Sequence, residues 1–163
     1  MLKPWIVLLT LCLAVPVSAQ NLDNPWSEGN DRSTVGIAPE VEGTVPWEDL
    51  AQVELVMDEN GMDLVPAFSD ALKALDGQAV QMVGFLLPLD SDGRRMLLSM
   101  VSPHCPFCMP GGPETFVELV SDGPIELTME PVVVEGELEL LKEAWNGYYY
   151  RLPKARVVRE VTG

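Results

Sequence analysis

The sequence predicts a mainly β fold: a small OB-like β-barrel of five or six strands with one short helix. Three observations carry this reading. Short apolar segments recur from Gln78 to Val161, divided by turns rich in Asp, Gly and Pro. Gly84 and Gly136 interrupt two of those segments, where a bulge or sharp bend would let a small sheet curl. One stretch, PAFSDALKALDG, instead places Phe68, Ala71, Leu72 and Leu75 at helical spacing and ends at Gly77, a suitable C-terminal cap.

Before the folded region comes an exported leader. Lys3 precedes an apolar run from Trp5 to Val17, and Val17-Ser-Ala19 offers the small or apolar residues that a signal peptidase needs. As a membrane span the run is too short for the ~30 Å hydrocarbon core, and it contains Pro16. Lipoprotein processing at Cys12 would require a small residue where Leu11 stands. Residues 1–19 are therefore expected to be removed as a signal peptide, giving a periplasmic or secreted protein with no stable membrane anchor. Residues 20–45 have no sustained period of 2 or 3.6 and read as a flexible acidic arm. Residues 46–163 are assigned to the β-barrel domain.

Cleavage removes Lys3 and Cys12. Of 10 basic residues, 9 remain against 25 acidic ones, a formal charge of about −16. Such a chain lacks the basic patch that displaces counterions from a polyanion, which excludes nucleic acid as an expected partner. An envelope protein or transporter is the partner class that the exported location suggests.

Within the domain, VPWEDL starts a short turn or helix between Pro46 and Leu50. Asp58-Glu-Asn-Gly61 is turn chemistry flanked by two short strands or irregular segments. After the helix come QAVQMVGFLLPL, RRMLLSMVS, ETFVELVS, IELTMEPVVVEGELELL, GYYYRLP and ARVVREV, all strand-like. Asp92-Gly93 joins the first two as a hairpin. Neither acidic turn is a calcium loop, because the first ligand position holds Pro88 or Val56 and the closing position Ser99 or Ala67. Alternation along the strand puts Tyr149 on one face and Tyr148 and Tyr150 on the other.

LDGQAVQMVGFLLPLD, the apolar strand after it, the loop from Cys105 to Pro113 and PVVVEGELEL…YYYRLPKARVV together resemble an uncharacterised, domain-of-unknown-function family of exported bacterial proteins. The resemblance spans residues 46 to 162. Its most specific part is the Gly-aromatic-aliphatic-aliphatic-Pro strand from Gly84 to Pro88, followed by the Cys-Pro loop. It implies an OB-like barrel and an exported location, and it implies no particular activity.

The chemistry concentrates in SPHCPFCMPGGPE, residues 102–114, which holds both cysteines left after cleavage and the only histidine. A redox Cys-x-x-Cys needs a helix N-terminus to stabilise its thiolate, and Pro-Gly-Gly-Pro after Met109 opposes one. A c-type haem site needs histidine after the second cysteine, whereas His104 precedes the first. Zinc takes four ligands, so Cys105, Cys108 and His104 would need a carboxylate such as Glu114 or a second subunit. Copper(I) is satisfied by fewer, softer donors: Cys105, Cys108, Met109, and Met100 or Met96, with His104 as a nitrogen ligand. The competing structural explanation is a local disulfide, which would hold the loop's shape but close too small a ring to add much stability, or two partly buried thiols capping the barrel. No Ser-His-acid series or phosphate-binding loop stands out, so the reading leans away from an enzyme. The function this supports is a non-catalytic metal-binding or metal-handling accessory protein. Its rivals are a structural or interaction module of the cell envelope and a thiol-disulfide oxidoreductase.

Overall fold

The computed structural model describes residues 36–103, 111–142 and 147–161. Residues 1–19, read as a leader, and most of those read as an arm therefore lie outside the described residues. Among those described, no helix is long and apolar enough to cross a membrane.

The chain enters along residues 36–45, the last part of the segment read as an arm. Ile37 forms a β-bridge with Val101, the Ala38 N–H donates to the Met100 carbonyl at 2.8 Å, and the Val45 N–H donates to the Gln81 carbonyl at 2.7 Å. These contacts are set by backbone groups and one small buried residue, Ala38, which leaves no hydrophobic period to detect. Helix α1, Trp47–Leu50, follows Pro46. It buries both terminal residues, and the Trp47 indole N–H donates to the Val83 carbonyl at 2.7 Å. That bond satisfies the one polar group a buried tryptophan carries.

Strands β1, Val53–Met57, and β2, Leu64–Phe68, flank the Asp58-Glu-Asn-Gly61 turn and pair as an antiparallel hairpin, so the flanks are strands and not irregular segments. The Asp58 carboxylate accepts the N–H groups of Met62 at 2.8 Å and Asp63 at 3.3 Å. Gly61 supplies the required positive φ of 67°. The predicted helix is α2, Asp70–Leu75, with the Ser69 hydroxyl capping the Leu72 N–H at 3.3 Å.

The remaining strands are β3 (Ala79–Pro88), β4 (Arg95–Ser99), β5 (Phe116–Val120), β6 (Val132–Glu137), β7 (Glu139–Leu140), β8 (Tyr150–Pro153) and β9 (Arg156–Glu160). They make one seven-stranded sheet in the order β7-β8-β5-β4-β3-β6-β9. All neighbours are antiparallel except β5 and β8.

The fold is mainly β, as expected, but the expectation of a barrel of five or six strands is corrected. Among the described residues there is one open seven-stranded sheet and a separate hairpin. No ladder joins the edge strands β7 and β9. The ends of the sheet are too short or too exposed to close it: β7 has 2 residues, and every residue of β9 faces solvent. The sheet nevertheless curls. A Cβ at Gly136 would sit 3.0 Å from the Leu152 Cβ and 3.1 Å from the Pro153 carbonyl, so β6 and β8 meet through a glycine without pairing. Gly136 thus serves close approach, while the irregularity in β6 falls between Val133 and Val134.

Gly84 marks the handover in β3, which pairs with β6 up to Gly84 and with β4 from Phe85. A Cβ there would lie 2.7 Å from the Ser99 carbonyl oxygen and 2.8 Å from the Leu98 Cγ. Gly84→Ala is expected to cost about 1–3 kcal/mol, the usual range for overpacking, measured as a lowered urea midpoint. An unchanged midpoint would mean that β4 shifts away freely.

The core lies on one face of the sheet. It gathers Met82, Met96, Leu98, Val117, Leu119, Val134, Tyr150 and Leu152 with Trp47, Leu50 and Leu72 from the helices. Burying a side chain of this class contributes about 1.5–3 kcal/mol.

Candidate functional site

His104, Cys105, Cys108 and Met109 lie outside the described residues, as do Pro106 and Pro110. The described residues show the two feet from which that loop departs. At the first, β4 ends on buried Ser99, whose hydroxyl donates to the Val101 carbonyl at 2.7 Å and accepts the Val101 N–H at 3.1 Å. Continuing outward, Ser102 N–H donates to the Gly36 carbonyl at 2.7 Å. At the second foot, Pro113–Thr115 forms a 3-10 turn leading directly into β5. The Thr115 hydroxyl and N–H both donate to the Gly112 carbonyl, at 2.7 and 2.9 Å. A Cβ at Gly111 would fall 2.2 Å from the Thr115 Cγ2, so this return path depends on glycine.

The two feet are tied together. Met100 N–H donates to the Thr115 carbonyl at 3.1 Å, one step beyond the Ser99–Phe116 pair. The residues between Pro103 and Gly111 are therefore spanned by a fixed base at one end of the sheet. The chain returns to the sheet through this 3-10 turn, which passes straight into the strand.

The secondary donors separate. Met96 is 2% exposed and belongs to the core, while Met100 is half-buried and packs against it. Both fill space, the ordinary use of methionine. Glu114 stays half-exposed at the second foot. Burial first, and then the Glu114 charge, pushes the Tyr149 and Tyr150 phenols above their ordinary value. Among the described residues no group of three or more His, Cys, Asp or Glu is placed to hold a metal ion. Asp58 and Asp90 are occupied in their own turns, Asp90 accepting from the N–H groups of Arg94 and Arg95 at 3.1 Å each.

A second polar centre lies on the other face of the sheet, and sequence reasoning missed it. Glu118 sits mid-strand in β5 with its side chain 1% exposed. One carboxylate oxygen accepts Arg95 Nε at 3.0 Å and Arg95 Nη2 as well. The other accepts Arg151 Nε at 2.6 Å. Arg151 reaches on to Glu139 at 3.4 Å. Burial pushes the Glu118 carboxyl up, but the hydrogen bonds from Arg95, Arg151 and the Tyr148 hydroxyl outweigh it and hold the group below its ordinary value. With both oxygens engaged by guanidinium groups, Glu118 is an anionic brace across β4, β5 and β8. It offers no proton-accepting lone pair to a substrate. The sequence held a signal for it: period 2 turns Glu118 away from Val117 and Leu119, toward the face that Arg95 and Arg151 share.

The three tyrosines depart from simple alternation. Tyr149 and Tyr150 both join the core cluster, with ring centroids 6.3 Å apart, whereas Tyr148 turns to Glu118. Strand β8 begins only at Tyr150, so the two preceding tyrosines are not bound by strand geometry.

Comparison with known proteins adds little beyond this geometry. No family model matches the chain, and no curated protein matches it. Among solved structures, the crystal structure of a DUF3299 family protein from Pseudomonas aeruginosa PAO1 is similar, at 21% identity and a TM-score of 0.46, with 60% of this chain and 70% of that one covered.

Proposed function

We propose that the chain is an exported, non-catalytic metal-binding or metal-handling accessory protein. Cys105 and Cys108 are the principal donors, with His104 or Met109 as auxiliary ones. The observation that carries the reading is the tied base of the loop, where Met100 donates to Thr115 at 3.1 Å and holds both feet at one end of the sheet. A tied base limits how far the two ends of the loop can separate, which favours a low ordering cost of binding. Two thiolates with a thioether or imidazole suit copper(I). Zinc would draw its remaining ligand from a carboxylate, and Glu114 stands at the second foot.

The test is native and denaturing mass spectrometry of protein purified from the periplasm. Stoichiometric copper or zinc, lost in Cys105→Ser and Cys108→Ser, is the expected result. A mass lower by two hydrogens, with no metal uptake after reduction, would overturn the reading in favour of a structural module with a braced disulfide. Ready exchange with other disulfides would favour an oxidoreductase.

A further inference from the structure

The β1–β2 hairpin has one wholly apolar face. Directly paired residues share a face, so Val53 with Phe68, Leu55 with Pro66 and Met57 with Leu64 form a single apolar ladder. At its base, Phe68 and Pro66 are buried. Toward its tip the ladder runs out of the core: Leu55 is 53% exposed, Met57 55% and Leu64 60%. A groove of about 1060 Å³ separates this part of the hairpin from α2 and β7.

The two outer edges of the hairpin differ. Asp58 N–H donates to the Asp63 carbonyl at 2.8 Å, which sets the parity of the ladder. The backbone groups of Glu54 and Val56 therefore turn toward β2, and those of Leu55 and Met57 turn outward. By the same parity the nitrogen of Pro66 faces outward from β2 and closes that edge, since proline has no N–H to offer. The edge of β1 carries no such block.

Charge identifies the occupant. Glu54, Asp58, Glu59 and Asp63 stand on the hairpin, and no Lys or Arg occurs between Arg32 and Lys73. Of the two lysines that line the groove, Lys73 is paired with Asp70 at 3.2 Å, and Lys142 follows β7 and is not on the hairpin. A second copy of the chain would bring the same acidic strand against this one.

We infer that the outer edge of β1 is a docking edge for an extended, basic segment of a partner protein, added as a third strand. In the register of β1, the partner's alternate side chains would be apolar, continuing the Leu55–Met57 face, with Lys or Arg between them opposite Glu54 and Asp58. This surface is separate from the cysteine loop, and it stands whether or not that loop binds metal.

The test uses three synthetic, end-blocked peptides titrated into the full exported protein by fluorescence anisotropy: one alternating Val and Lys, one alternating Val and Glu, and the Val-Lys peptide with proline at two alternate positions. The Val-Lys peptide is expected to bind, more weakly as salt rises, and at least about tenfold more tightly than the other two. Glu54→Lys with Asp63→Lys should reverse the preference between Lys and Glu peptides. Leu55→Pro, which removes an outward N–H, should abolish binding, and Met57→Lys should weaken it with the thermal transition unchanged. No binding of the Val-Lys peptide at about 1 mM would overturn the proposal. So would equal binding of the proline peptide, or self-association lost in Met57→Lys, which would assign the edge to a second copy.

Discussion

Glu118→Ala is expected to lose about 3–5 kcal/mol of folding stability, because removing one partner of a buried ion pair leaves the others uncompensated. Two guanidinium groups converge on this carboxylate from strands that lie far apart in the chain, Arg95 on β4 and Arg151 on β8. Neither arginine is fully buried: their side chains are 50% and 30% exposed. Each can turn toward water once the anion is gone, which places the loss at the lower end of that range. Glu118→Gln keeps the shape and one acceptor oxygen, and should lose less. Urea unfolding of the two variants beside the parent measures both effects. A Glu118→Ala midpoint equal to the parent's would show that the cluster contributes no net stability.

The same group carries a pH dependence with a definite sign. Its carboxyl lies below the ordinary value of 4.5 in the folded chain, so the unfolded chain takes up the proton first as pH falls. The stability it supplies is complete above that ordinary value and is lost as pH drops through the folded value. Between neutral and acid pH the parent should therefore lose more stability than Glu118→Gln. Parallel curves for the two would remove Glu118 as a source of the acid sensitivity.

Much of the fold was legible because its signals are local. The Asp-x-Asn-Gly and Asp-Gly turns, the helical spacing of Phe68, Ala71, Leu72 and Leu75, and the strand-like segments each depend on a few neighbouring residues, and the turns and α2 lie near where those residues place them. Closure of the sheet was not local. Whether β7 meets β9 depends on strand lengths and on how far Gly84 and Gly136 bend the sheet, which no segment states by itself. The parallel pairing of β5 with β8 likewise joins segments separated by β6 and β7. The union of the cysteine loop's two feet through Met100 and Thr115 is likewise a matter of register. Glu118 was the largest omission among polar residues. A glutamate in an outward-facing strand position ordinarily meets solvent, and only the approach of two arginines from other strands buries it.

Tyr150→Ala should be as damaging as any single core truncation, at about 3–5 kcal/mol, the range for deleting a large buried aromatic. Tyr150 is fully buried and joins three parts of the molecule. Its ring meets Phe68 of the hairpin at 5.8 Å and Tyr149 at 6.3 Å. Its hydroxyl donates to the carbonyl of Leu50 at the end of α1. Tyr150→Phe separates these roles: it keeps the ring and leaves the buried Leu50 acceptor unpaired, at an expected cost of about 1–3 kcal/mol. Burial, reinforced by Glu114, pushes the Tyr150 phenol far above its ordinary value of 10.0. The unfolded chain therefore ionises first, and this contribution is whole below that value and erodes as pH rises above it. Tyr150→Phe, having no phenol there to ionise, should lose less stability than the parent between neutral and strongly alkaline pH. Urea midpoints across that range check both points. If Tyr150→Phe matches the parent at neutral pH, the hydroxyl contributes nothing to stability, and α1 is held by Trp47 and Leu50 packing and the Trp47–Val83 hydrogen bond.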